Sequence, residues 1–357
     1  MKLKLLHWSV LLPLVACLAL ALVWGRSLGW FLMALAGAGL VAAVIVGVHH
    51  AEVVALRVGE PFGTLVLALA VTVIELGLIG SIMVSKVPGS VTLARDTLFA
   101  TVMIVCNGVV GGCLVVGALK HHVLPFRVEG AGHALAALAP LVTLTLILPN
   151  FTLTTPGPTY APAQLAFAGF SSLILYAVFV FAQTVRHRDY FLAETPDDEE
   201  PHTPPSNRVA ATSMGLLLLC LVAVVGLAKQ LSPAIEEGVR AIAAPASAVG
   251  LIIALVVLSP ESTAAVRAAS RNRMQTSLNL ALGSALASIG LTIPCVAALS
   301  VWLGLRLELG LGAAQIVLLV LTLILSTITL ASGRATVLHG AVHLVVFAAY
   351  LVLAFVP

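Results

Sequence analysis

Eleven apolar runs follow one another along this chain with little between them, near residues 9–24, 29–48, 62–84, 97–118, 132–149, 163–184, 209–228, 241–262, 277–304, 312–331 and 336–356. A helix needs roughly 20 apolar residues to cross the hydrocarbon core of a bilayer. Each run is continuously apolar, whereas barrel strands alternate apolar and polar residues. Only 9% of the residues are charged, against about 25% in a soluble domain. The loops are too short to hold a soluble domain. The sequence predicts an all-α polytopic membrane protein with about eleven transmembrane helices.

One polar stretch interrupts the series. Residues 186–208 carry the acidic core Asp197-Asp198-Glu199-Glu200 among Pro196, Pro201, Pro204 and Pro205, and that many prolines forbid a long helix. The expected organisation is an extra first helix over 1–28, a five-helix repeat over 29–185, a cytoplasmic linker over 186–208 and a second five-helix repeat over 209–357. An odd number of spans per half makes the two halves run oppositely through the membrane, the arrangement of inverted-repeat transporters. Lys2, Lys4 and the run from Leu11 to Ala21 are signal-peptide-like, but the run continues to Trp24 and another span follows at once. An uncleaved first helix is expected.

With the N-terminus inside, 12 of the 18 Lys and Arg residues fall on the inner face and 6 on the outer. The positive-inside rule then sets the N-terminus in the cytoplasm and the C-terminus outside. The net charge of +3 says little about nucleic acid, and no such partner is expected. The five cysteines lie in apolar runs without CxxC spacing and read as small buried hydrophobes.

Two glutamates stand inside apolar runs, Glu75 in the first half and Glu261 in the second. A carboxylate in hydrocarbon is costly, by roughly 2.5 to more than 10 kcal/mol, so a chain that places one in each half is expected to use both. The natural use is to hold a cation or a proton at mid-membrane depth, with the two groups sharing one site. Thr72 lies one turn before Glu75, and Ser259 precedes Pro260 and Glu261. Pro260 deprives the Val256 carbonyl of its usual donor, which predicts an exposed carbonyl oxygen. Thr101, Asn107, Asn279, Ser284 and Ser288 sit on the following helices as further oxygen donors. Ca²⁺ takes 6–8 oxygen ligands, and no thiolate or histidine cluster favours a softer metal. Burial raises a carboxyl pKa and a nearby cation lowers it, so cation and proton compete for the same groups. Competition at a site open to one face at a time suffices for antiport.

Glu52 and Glu60 read as helix-end charges beside Arg57, and His49 and His50 as interfacial. His339 and His343 have i, i+4 spacing, but without a visible third ligand they read as packing or hydrogen-bonding residues. Membrane-embedded enzymes need paired aspartates, HExxH or an Asp-rich motif within a span, and none occurs.

The sequence resembles the bacterial calcium/proton antiporters of the ChaA type, a branch of the calcium:cation antiporter superfamily, over nearly its whole length. The resemblance is carried by Gly59-Glu60-Pro61-Phe62-Gly63 followed by Glu75, by Arg95-Asp96-Thr97-Leu98, by Leu258-Ser259-Pro260-Glu261, by Asn279-Leu280 with Gly283-Ser284, and by Gly333-Arg334 with His343 and Ala348-Ala349-Tyr350-Leu351. It implies that Glu75 and Glu261 bind the ion and the exchanged protons, and that the run Asp197 to Glu200 matches the acidic stretch between the family's halves; by its composition that run reads as a solvated linker or as a segment that senses or attracts cations. The chain departs from the superfamily's Gly-Asn-Ala before the acidic residue, reading Val71-Thr72-Val73 and Val257-Leu258-Ser259. The expectation is a secondary antiporter of the bacterial cytoplasmic membrane, exchanging Ca²⁺ for H⁺ by alternating access. The alternatives are Na⁺/H⁺ or K⁺/H⁺ exchange at the same groups, or a passive cation channel. No organic cofactor is implied. The partners are inorganic cations, protons and membrane lipid.

Overall fold

The computed structural model describes every residue except 1, 27–28, 60–61, 86–88, 193–203, 242–244, 246 and 357. Among the described residues there are eleven helices: α1 (Lys2–Val23), α2 (Trp30–Val58), α3 (Phe62–Ser85), α4 (Leu93–His121), α5 (Val128–Phe151), α6 (Pro162–Arg186), α7 (Asn207–Ala241), α8 (Ser247–Ser270), α9 (Met274–Leu303), α10 (Ala313–Ala331) and α11 (Val337–Phe355). Ten are long and apolar enough to span a bilayer, and the apolar part of α1, Trp8–Val23, is shorter. The helix count and the order around the polar stretch follow the expected pattern of one, five and five. A two-residue ribbon pairs β1 (Leu124–Pro125) with β2 (Arg334–Ala335), antiparallel.

Two boundaries differ from the reading of apolar runs. Helix α2 extends to Val58, well past residue 48, because Gly47, His50, Ala51 and Val54 continue its buried stripe at helical spacing. His50 on this stretch is buried and hydrogen-bonded to the Ser9 carbonyl of α1 at 2.9 Å. Glu52 is exposed on the same helix, and Arg57 donates to the Asn207 side chain at 2.7 Å. Glu60 lies outside the described residues. Helix α7 runs through Pro233 to Ala241, and α8 begins at Ser247 rather than near 241. The first part of the polar stretch is ordered as a turn of 3₁₀-helix, Arg188–Phe191. Asp197, Asp198, Glu199 and Glu200 lie outside the described residues.

The chain forms two compact units, and each draws on both sequence halves. The first, residues 1–93 and 200–249, holds α1, α2, α3 and α7. Here α2 packs along α7, with α1 and α3 against both. Small residues allow the close approach: a Cβ on Gly77 would lie 2.7 Å from Val225, and one on Gly226 would lie 2.6 Å from Leu20. The second unit, residues 94–199 and 250–357, holds α4, α5, α6, α8, α9, α10 and α11. Within it α9 packs against α6 and α5, and α11 against α4.

Helix α4 changes to π-helical pitch in mid-span, over Ile104–Val109, and α5 does so near its end, over Thr143–Ile147. Single π turns are frequent at functional sites, where the wider turn redirects side chains and carbonyls.

Candidate cation and proton site

In the first unit, Glu75 sits on α3 with 1% of its surface exposed. Its neighbours along the helix are apolar, so burial follows from the stripe formed by Ala70, Val71, Ile74, Leu78 and Ile79. Thr72 is buried one turn earlier and donates its hydroxyl proton to the Ala68 carbonyl at 2.8 Å. That bond uses the proton and leaves oxygen lone pairs, so Thr72 remains a possible neutral oxygen ligand.

In the second unit, Glu261 is half-buried near the middle of α8, which continues without a break through Pro260. The Val256 carbonyl is not left bare as the sequence suggested. The Ser259 hydroxyl donates to it at 2.8 Å and replaces the N–H that proline lacks.

Helix α8 lies alongside α4 and runs the same way. Near its start, a Cβ on Gly250 would lie 2.8 Å from the Thr97 nitrogen. Near its end, Gly117 faces the Ala269 carbonyl and His121 bonds the Ser270 carbonyl at 3.3 Å. Counting at about 1.5 Å per residue, Glu261 stands 11 residues beyond Gly250, and Asn107 stands 10 beyond Thr97. The register brings Glu261 and Asn107 to the same level along parallel helices.

Asn107 lies in the π segment of α4 and is fully buried. Its Nδ2 donates to Thr322 Oγ1 of α10 at 2.8 Å, and its Oδ1 meets His343 Nδ1 of α11 at 3.1 Å. His343 Nε2 meets Thr329 Oγ1 of α10 at 3.1 Å. All four side chains are at 0–1% exposure, so a polar core joins three helices of an otherwise apolar unit. The sequence reading included Asn107 and gave His343 only a packing or hydrogen-bonding role. It passed over Thr322 and Thr329. The available signal was the spacing of Thr322, Ser326 and Thr329, an i, i+4, i+7 polar stripe in an apolar helix. His339 is used differently: its Nδ1 accepts from the Thr336 backbone N–H at 3.3 Å and caps α11.

The remaining predicted residues lie on α4 and α9. Thr101 is buried six residues before Asn107. Ser284 is half-buried and Ser288 buried. Asn279 is held at both ends of its amide, donating to the Phe191 carbonyl at 2.6 Å and accepting from Gln275 Nε2 at 2.9 Å. Gln275 Oε1 in turn accepts from the Arg127 N–H at 2.8 Å, and Arg127 donates to the Asp189 carbonyl at 2.8 Å. These bonds fasten the 188–191 turn to α9 and to the start of α5. At the N-terminal end of α4, Arg95 grips the buried Asp96 carboxylate with Nε at 2.9 Å and NH2 at 2.8 Å. Among the described residues, no cluster of three or more His, Cys, Asp or Glu is arranged to hold a metal.

The profile of the family described as "Sodium/calcium exchanger protein" matches residues 26–185 and again residues 212–356. The chain is 47% identical to y4hA of Sinorhizobium fredii (strain NBRC 101917 / NGR234), covering 98% of this chain and 96% of that one. It is 34% identical to the sodium-potassium/proton antiporter ChaA of Escherichia coli (strain K12), covering 97% and 96%. Its fold matches that of the H⁺/Ca²⁺ exchanger CAX with a TM-score of 0.73 at 17% identity, covering 98% of this chain and 88% of that one.

Proposed function

Because this chain belongs to the sodium/calcium exchanger family, within the calcium:cation antiporter superfamily, we propose that the cation it exchanges for H⁺ is Ca²⁺, and that Glu75 and Glu261 take up cation and protons in turn. The chain is a multi-pass membrane cation/proton antiporter and not an enzyme. The choice of ion and residues is our reading. The observation that carries it is Glu75, a carboxylate 1% exposed on an apolar spanning helix, matched by Glu261 on the corresponding helix of the second half. A buried carboxyl favours its neutral form until a cation arrives, and a bound cation favours the ionised form. Loading the cation therefore expels protons, and two carboxyls release at most two. Thr72, Ser259, Asn107 and Ser284 supply neutral oxygen, and the Val256 carbonyl adds its second lone pair. The exchange proceeds by alternating access, in the bacterial cytoplasmic membrane, with the N-terminus cytoplasmic and the C-terminus periplasmic. The acidic run Asp197 to Glu200 serves as a cation-responsive segment of the cytoplasmic linker.

A second reading, Na⁺ or K⁺ as the exchanged ion, rests on two observations. A relative at 34% identity over nearly full length is a sodium-potassium/proton antiporter. The positions before each glutamate, Val71-Thr72-Val73 and Val257-Leu258-Ser259, also offer few side-chain oxygens, whereas Ca²⁺ needs 6–8 ligands. Everted vesicles carrying an imposed ΔpH, challenged separately with Ca²⁺, Na⁺ and K⁺, distinguish the readings. Ca²⁺ dissipating the gradient at the lowest concentration supports the first. Dissipation by Na⁺ or K⁺ alone supports the second. Cation flux that needs no opposing proton movement removes both and leaves a passive channel.

A further inference from the structure

The polar core of the second unit has a self-consistent pattern of protons that starts from the Leu318 carbonyl; the Cys106 carbonyl is a further backbone acceptor for the His343 ring. Thr322 donates its hydroxyl proton to the Leu318 carbonyl at 2.7 Å, in preference to the Met103 sulfur at 3.5 Å, a weaker acceptor. With its proton used, Thr322 Oγ1 can only accept from Asn107. The Asn107 amide must therefore turn its NH₂ toward Thr322 and its oxygen toward His343. An oxygen facing His343 Nδ1 requires that nitrogen to carry the proton. Nε2 is then the acceptor, and Thr329 donates to it. The second Asn107 N–H points at the Met103 sulfur, 3.8 Å away. Both amide donors are thereby engaged inside the protein, and one lone pair of Oδ1 is left over.

We propose that His343 is a positioning residue for cation binding, acting with Thr322: the Thr322 oxygen takes an Asn107 N–H and the His343 Nδ1–H holds its Oδ1, and the two together keep the amide set so that Asn107 presents an oxygen, and not an N–H, to the cation. This rests on the reading above that Asn107 is a cation ligand. An amide held at one end alone can swing and bring an N–H toward the cation; one held at both ends does not. The register that sets Asn107 level with Glu261 on parallel α8 and α4 gives this oxygen a place beside the carboxylate's depth. Backbone packing holds His343 where the lock requires it. A Cβ on Gly111 would lie 2.9 Å from His343 Cβ, and one on Gly340 would lie 2.7 Å from the Gly111 carbonyl.

The experiment measures the apparent KM and kcat of Ca²⁺-driven and Na⁺-driven proton flux in proteoliposomes, for His343→Asn, His343→Gln, His343→Leu, Asn107→Leu and the double variant Asn107→Leu/His343→Leu. The asparagine side chain can place a donor where Nδ1 stands, glutamine only near Nε2, and leucine neither. The expected result is that His343→Leu and His343→Gln raise the cation KM about tenfold with a smaller change in kcat, while His343→Asn stays near wild type. The double variant should be no worse than Asn107→Leu alone. A KM order that simply follows melting temperature means that His343 only packs, and overturns the inference. Equal KM values for all three His343 variants overturn it as well. Asn107→Leu with an unchanged KM instead removes Asn107 as a ligand, and the inference falls with that reading. If His343→Leu does not fold, the asparagine and glutamine variants still decide.

Discussion

Glu75 and Ser259 show how single side chains reconcile polar chemistry with an apolar span. Glu75 reaches burial because four or five aliphatic neighbours on α3 exclude water around it, and Glu75→Gln should keep the fold while removing the group that can exchange a proton for a cation. Ser259 completes a backbone hydrogen bond that Pro260 cannot make. Ser259→Ala should therefore lower stability by about 1–3 kcal/mol, the range for a buried polar group left unsatisfied. Adding Pro260→Ala restores an N–H in helical register with Val256 and should recover most of that loss. A melting-temperature cycle over the two single variants and the double variant checks this. Losses that simply add would mean Ser259 does not stand in for the missing N–H. The apolar context made both glutamates and Pro260 legible in the sequence. The bond from Ser259 was not, because a serine's choice between its own backbone and a ligand is set by rotamer.

At the scale of elements, the crossing of α4 and α11 depends on glycine. Gly340 meets the Gly111 carbonyl and the Val115 nitrogen, both backbone atoms that cannot move aside. Gly340→Ala should cost about 1–3 kcal/mol, as overpacking generally does. Gly112→Ala on α4, with nothing within 4 Å of its added Cβ, should not lower the melting temperature, since alanine favours the helix over glycine. Similar losses for both would place the crossing elsewhere. The number and order of the helices could be read from hydrophobic runs because lipid imposes one length on every span. Helix ends were less legible: α2 continues past His49, His50 and Glu52, since a histidine can be buried when a carbonyl such as that of Ser9 satisfies it. The polar core of Asn107, His343, Thr322 and Thr329 was legible only in fragments. Its members lie far apart in sequence, and only tertiary packing shows that the α10 stripe faces α4 and α11.

For the whole molecule, if α1 crosses together with the ten longer helices, the two ends lie on opposite sides of the membrane, and the excess of Lys and Arg on one set of loops predicts which side each takes. Reporter fusions at both ends should show a cytoplasmic N-terminus and a periplasmic C-terminus; ends on one side would contradict the count of crossings. The central claim is that one acidic side chain per half trades cation for protons. Its most direct test is proton release from proteoliposomes on adding Ca²⁺, Na⁺ or K⁺, comparing the wild-type chain with Glu75→Gln and Glu261→Gln. The account predicts cation-dependent proton flux in the wild type, falling at least a hundredfold in each variant while each still reconstitutes as a folded protein. Undiminished flux in either variant would contradict it.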